Sequence, residues 1–361
     1  MLARTLIAAA PGGRMRLDVF VAAELGAEFS RSQAARMIRA GLVRVNGAAA
    51  RAADQVRAGD RVEIAEPEPA VAATPAGPSA QASALEILHA DAEMIVVNKP
   101  AGMTVHPAPG HSGGTLVDAL LVRFPEMAAM VEPDGVMRPG IVHRLDKDTS
   151  GLMAVARTPF ARMELARQFK ERAVGKTYLA IVRGIVARER FIIARPVGRH
   201  PVERKRMSVN SRHGREAISE VSVLARMPAP PADATLVAVR PLTGRTHQIR
   251  VHLASIGHPC LGDALYGGRH RAAAPSCGFA RQALHAFALA LAHPRTAAAL
   301  KFVAPLPADF IDFLRARGVF SAPAAIERAI EIRVAAAENQ TPPAREADGK
   351  NGRKASRKAS R

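Results

Sequence analysis

Tryptophan is missing from this 361-residue chain, and tyrosine occurs twice, at positions 178 and 266. Aromatic residues make up 4% of the sequence, so each tyrosine is a rare surface on which a planar ligand can stack. Cysteine is as scarce. Cys260 and Cys277 are too few for a disulfide-stapled scaffold and suit a reducing compartment. They lack Cys-x-x-Cys spacing, although His258 and His270 lie nearby, so no metal site is expected and Cys260 reads as a small buried apolar residue. No apolar run approaches the ~20 residues that a helical membrane span requires. The patch Leu6 to Ala10 is short and a basic run follows it, which argues against a secretion signal. The expectation is a cytoplasmic protein with no membrane partner. Also missing is a Gly-rich phosphate loop after a first strand, which weighs against kinases and methyltransferases and against a small-molecule cofactor. Acids are in deficit: 32 Asp and Glu against 51 Lys and Arg give a net charge of +19. A GC-rich coding bias explains Arg over Lys but not this excess of bases, which draws polyanions, nucleic acid first.

What is present supports a large core. Apolar residues are 48% of the chain, and its length allows a main domain plus a smaller one. In residues 15–65, Leu17, Phe20, Val21 and Leu25 fall at helical spacing. Ser30 can cap a second helix, Arg31 to Ala40, which Gly41 ends. That helix turns Met37 and Ile38 to one face and leaves Arg31, Arg36 and Arg39 to solvent. Leu42 to Gly47 reads as a strand entering a tight turn, and Ala58 to Ile64 as a turn and closing strand. This order of elements resembles an S4 domain, a small RNA-binding module. The resemblance implies that the basic helix and the turn after it lie against RNA backbone, with Arg31, Arg36, Arg39 and Arg44 as contacts. Residues 66–84, rich in Pro, Ala and Ser, read as a semi-extended linker. At the other end, residues 321–361 read as a helix, Ala324 to Ala337, and a basic, disordered tail.

The segment between, residues 85–320, is organised around Gly140 to Ala156. A polar run there leads into the apolar stretch Leu152 to Ala156, so polar side chains sit at the mouth of a core strand. His143, Arg144 and Asp146 can act on a substrate from that position. A solvated carboxylate is ionised at neutral pH and serves as nucleophile or base. Arg144 can hold it ionised or grip a phosphate. Further on, Lys176 to Gly184 alternates like a strand with one buried face and carries Tyr178. Arg199 to Arg215 is a basic insertion without core periodicity, expected to be a mobile loop that engages phosphate. Thr243-Gly244 precedes a short helix running to Gly257, in which Ile249 and Leu253 face the core together and hold Arg250 in position.

Three of these runs also carry a resemblance. His143-Arg144-Leu145-Asp146 with Thr149-Ser150-Gly151 is similar to the signature of the RluA/RluD family of pseudouridine synthases. Lys176 to Gly184 and Pro241 to Leu253 are similar to its second and third motifs, in the expected order, as is Leu261-Gly262-Asp263 with Tyr266-Gly267. The resemblance implies an α+β catalytic domain, a mixed and largely antiparallel sheet with a central cleft. It implies isomerisation of uridine to pseudouridine in RNA without a cofactor. Asp146 would act on the ribose, Tyr178 would lie against the target base and Arg250 would keep Asp146 ionised and oriented. Arg144, His143, Arg245 and His247 would contact RNA, and Tyr266 would be structural. Asp146 attacking C1′ and Asp146 removing the C2′ proton both stay open. An S4 domain joined to this catalytic type is most similar to members acting on 23S (large subunit) ribosomal RNA, free or in a pre-50S particle. A synthase acting on tRNA and a noncatalytic ribosome-assembly protein are the alternatives. A monomer is expected.

Overall fold

The computed structural model describes residues 3–9, 14–26, 31–65, 85–106, 113–130, 139–203, 206–228, 233–267, 278–319 and 323–338. Ser30, the linker at 66–84 and the tail after residue 338 lie outside them. The chain divides into two compact units. The first takes the described residues of 1–84, 106–141 and 156–159, the second those of 85–105, 142–155 and 160–361. No helix among the described residues is long and apolar enough to cross a membrane.

In the first unit, β1 (Ala3–Ile7), β2 (Met15–Arg16), helices α1 (Leu17–Glu24) and α2 (Arg31–Arg39), β3 (Val43–Val45), β4 (Ala48–Ala49), β5 (Gln55–Val56) and β6 (Arg61–Ala65) follow in order. The main sheet runs β1-β6-β3-β4, and β2 pairs with β5. Strand β1, which precedes the segment read from sequence, adds an antiparallel edge to β6. The helical spacing predicted from Leu17 works as expected: Leu17, Phe20, Val21, Met37 and Ile38 are buried in one cluster with Val43, Val62 and Ile64. Gly41 at φ 77° ends α2, and Asn46 with Gly47, at φ 51° and 79°, makes the primed turn that joins β3 to β4. Helix α3 (Leu116–Arg123) also belongs to this unit and starts at a capping box in which Thr115 and Asp118 satisfy each other's backbone N–H groups.

The second unit is built on nine strands: β7 (Glu86–Ala90), β8 (Met94–Lys99), β9 (Ser150–Ala156), β10 (Gly175–Arg183), β11 (Arg190–Ala194), β14 (Ile218–Met227), β15 (Ala234–Pro241), β16 (Leu284–Ala292) and β17 (Ala299–Val303). Their order is β11-β14-β15-β10-β16-β9-β8-β7, with β17 also on β16. The pairings from β11 through β16 are antiparallel, whereas β16 and β9 run parallel. The mixed, largely antiparallel sheet implied by the resemblance is therefore present. Helix α4 (Pro159–Lys170) follows β9, α5 (Gln248–Ser255) follows β15, and α6 (Ala308–Ala316) and α7 (Pro323–Glu338) follow β17. Ile330 and Val334 of α7 are buried with Leu224, Leu236 and Phe313. The sequence reading set this helix apart with the tail. Its two apolar residues, four apart, instead complete the core.

Two strands, β12 (Gly198–Arg199) and β13 (Met207–Ser208), fall in or beside Arg199 to Arg215, which the sequence reads as a mobile loop without core periodicity. They form an antiparallel hairpin, and a bridge between Val197 and Arg215 closes its base. Met207 and Val209 pack against the buried cluster of Val197, Ala217, Val251 and Tyr266. A hairpin with one apolar residue per strand turn shows too little periodicity to read from sequence.

Candidate active site

Strand β9 is buried along its whole length, and the polar loop of residues 142–149 leads into it. The close parallel approach of β16 explains Gly151: a Cβ built there would lie 2.2 Å from the Ala286 carbonyl oxygen. Two basic side chains then fix the loop's backbone. Lys99, fully buried at the end of β8, donates its Nζ protons to the carbonyls of Pro100, Met103 and Lys147 at 2.8, 2.9 and 3.0 Å. Burial, despite the nearby charge of Asp148, pushes its ammonium down to about 7. Arg281 donates to the Asp148 carbonyl at 3.1 Å. Asp146 is thus carried on a peptide segment whose next two carbonyls are gripped by cations, and its own carbonyl accepts the Thr149 N–H at 3.1 Å. Nothing in the residues before Pro100 signals that the Lys99 amine points inward.

Asp146 meets Arg250. The Nη1 of Arg250 donates to Asp146 Oδ2 at 2.8 Å, while Nε and Nη2 clasp Asp263 Oδ2 and Oδ1 at 2.7 and 2.9 Å. The guanidinium is 6% exposed, the Asp263 side chain 0% and the Asp146 side chain 20%, so the arginine stands behind the one carboxylate that reaches solvent. Burial works against the Arg250 cation, but the bonds and charges of Asp263 and Asp146 outweigh it and raise its pKa. Asp263 is itself fixed, because Oδ1 accepts the N–H groups of Leu265 and Tyr266 at 2.9 and 3.0 Å. Gly262 permits this turn: a Cβ there would lie 2.1 Å from the Arg281 carbonyl oxygen. Helix α5 supplies Arg250 from a start anchored by Gln248, which accepts from Thr243 Oγ1 and the Arg245 N–H and donates to the Ile218 carbonyl. Asp263 carried no assigned role in the sequence; the Gly-Asp pair was the available signal.

The cavity above this pair has a volume of about 500 Å³. Among the described residues lining it, Asp146 is the sole acid, against Arg144, Lys170, Arg172, Lys176 and Arg245. Tyr178 lines it from β10, at a bulge where the register against β16 slips between Thr177 and Tyr178. Burial, with the Asp146 charge, pushes the Tyr178 hydroxyl up, so it stays a phenol.

The residues picked from sequence fall into two groups. Asp146, Tyr178, Arg144, His143, Arg245 and His247 share this cavity, with Arg250 directly behind Asp146. Arg31, Arg36, Arg39 and Arg44 lie in the first unit. Arg31, Arg39 and Arg44 are exposed there, as the sequence reading has them, and Arg31 also donates Nε to the buried Asp18 at 3.0 Å. The cation on Asp146 is Arg250 rather than Arg144, which is exposed. His143 differs from the reading as a polar contact. Its Nε2 accepts the Ala154 N–H at 3.0 Å, its ring stacks on Phe169 at 4.3 Å, and burial lowers it to about 3. With Nε2 held by the backbone and one face on Phe169, the ring forms part of the cavity wall. Cys260 is buried as expected, while His270 and Cys277 lie outside the described residues.

Comparisons with known proteins point to one family. The profile of the RNA pseudouridylate synthase family matches residues 93–255, and that of the S4 domain matches residues 15–62. An RNA pseudouridine synthase of Bacillus subtilis is 42% identical over 299 residues, covering 83% of this chain and 93% of its own. The ribosomal large subunit pseudouridine synthase D of Pseudomonas aeruginosa is 43% identical over 307 residues, covering 83% and 91%. Among solved structures, human RNA pseudouridylate synthase domain containing 1 aligns with a TM-score of 0.55 at 27% identity, over 74% of this chain and 99% of that one.

Proposed function

The chain belongs to the RNA pseudouridine synthase family, and from that premise we propose that it modifies large-subunit ribosomal RNA through the Asp146 carboxylate. Isomerisation of uridine to pseudouridine in RNA is its activity. The bond from C1′ to N1 breaks, the base turns, and C5 bonds to C1′ while its proton leaves and N1 gains one. Atoms and electrons balance within the nucleotide, so no group is donated.

The observation that carries the assignment of Asp146 is its ion pair with Arg250 at 2.8 Å, as the one acid among the described residues that line a basic cavity. Whether the carboxylate attacks C1′, as in retaining glycosidases, or removes the C2′ proton, it must be aimed, and the hydrogen bond from the guanidinium does that. Tyr178 stacks on the base. Its raised hydroxyl pKa favours donation of a hydrogen bond over action as a phenolate. Arg144 and Arg245 hold RNA backbone near the cavity, helping to offset the few kcal/mol needed to unstack the nucleotide. The S4 domain contributes Arg36, Arg39 and Arg44 as a second RNA contact that raises affinity through effective concentration. A monomer is the working form in this reading, with cytoplasmic ribosome assembly as its setting. The name of the Pseudomonas relative and the S4 domain support ribosomal RNA over tRNA.

Mapping pseudouridines in the ribosomal RNA of a deletion strain tests this substrate. Loss of one or more large-subunit sites is expected; an unchanged rRNA map with a lost tRNA site would reassign it. For Tyr178→Phe, RNA affinity should hold within about twofold while turnover falls roughly 10–100-fold, in the range of a lost acid–base contact; single-turnover kinetics separates the two. Binding should also weaken by roughly 10³ between 50 and 200 mM salt if about six phosphates are neutralised. A flat salt response in filter binding would remove the phosphate argument.

A further inference from the structure

We propose that His247 reads the 2′-hydroxyl of the target ribose, with Tyr266 fixing the donor proton that does so. The inference rests on the reading above that Asp146 faces that ribose. His247 sits just before α5 with φ 54° and ψ 19°, left-handed backbone that is uncommon for a residue with a side chain and costs roughly 1 kcal/mol or more. Its ring is held from one side: Nδ1 lies 2.8 Å from the Tyr266 hydroxyl. That hydroxyl already accepts the Met207 N–H at 2.9 Å, so its single proton is free to be donated to Nδ1. With that proton given to Nδ1, Nδ1 is the acceptor and the neutral ring carries its proton on Nε2. Burial, which lowers the pKa of His247, is consistent with the neutral ring.

Nε2 lies 3.8 Å from Asp146 Oδ1, too far for a direct hydrogen bond, and both residues line the same cavity. The carboxylate can only accept and Nε2–H can only donate. A group that satisfies both must accept from one and donate to the other, which is the capability of a hydroxyl. Beside a carboxylate that reaches C1′ or the C2′ proton, the nearest hydroxyl on the nucleotide is the 2′-hydroxyl. The pair therefore selects RNA over DNA at the reacting nucleotide itself. Tyr266 acts through His247 and is a positioning residue. It is 7% exposed, and the guanidiniums of Arg250 and Arg206 stand 5.1 and 5.5 Å from its ring centre.

The test compares two stem-loop RNAs carrying the uridine mapped above, one with ribose and one with a single 2′-deoxyribose at that nucleotide. Dissociation constants are measured on ice, before turnover, by filter binding. The wild-type protein should bind the ribose form about tenfold tighter, the effect of one lost hydrogen bond at a confined donor. In His247→Asn, where Asn tolerates the left-handed backbone, the preference should drop below about twofold, with affinity for the deoxy form unchanged. Tyr266→Phe should bring it to an intermediate value, and a general packing defect would weaken both RNAs equally. A wild-type preference that survives in His247→Asn, or a wild-type protein with no preference, as when water fills the position, overturns the inference. Wild-type tritium release from the ribose RNA is the control: its failure would count against the substrate assignment instead.

Discussion

Asp146→Asn is expected to abolish pseudouridine formation, by at least ~10³-fold in tritium release, while leaving the fold and RNA binding within about twofold of wild type. The asymmetry follows from the geometry. Asn keeps an oxygen where Oδ2 accepts from Arg250, so the guanidinium retains a partner. The side chain is 20% exposed in a water-accessible cavity, so the new amide is not stranded. What is lost is the negative charge at the ribose, which both candidate routes require. Retained turnover in this variant would eliminate the proposed role, and loss of RNA binding alongside activity would shift it from chemistry to recognition.

Asp263→Asn should do the reverse, with its main effect on stability. Arg250 gives two of its three bonds to Asp263, and that carboxylate is fully buried. An amide there turns an N–H toward an N–H of the guanidinium and leaves a buried cation short of one counter-charge. Breaking a buried pair from one side costs about 3–5 kcal/mol. At roughly 2–4 °C per kcal/mol, the melting transition should fall by about 10 °C in calorimetry. Activity should fall as well, about 10²-fold, because an arginine displaced by an ångström no longer aims Asp146. A variant that melts like wild type would mean that Asp146 alone holds the arginine. The two substitutions thus separate the carboxylate that reacts from the one that keeps its partner in place.

The sequence by itself determined the motif-bearing residues and the elements that carry them. Apolar spacing placed Leu17, Phe20 and Val21 on a buried helix face, alternation placed Tyr178 on a strand, and the run into Leu152 placed Asp146 at a strand's mouth. These are local properties, set by periods of 3.6 and 2 residues and by turn chemistry. Tertiary structure decided which charges meet. Asp146 lies 104 residues from Arg250, and the pairing was expected from a resemblance, not from anything in either segment. The clasp of Asp263 was marked only by its Gly-Asp pair, and the inward amine of Lys99 and the packed ring of His143 had no local signal. A side chain's partner, its burial and the proton it carries are settled by what the sheet brings alongside it, and in this chain β8, β9, β10 and β16, with α5, come from segments far apart in sequence.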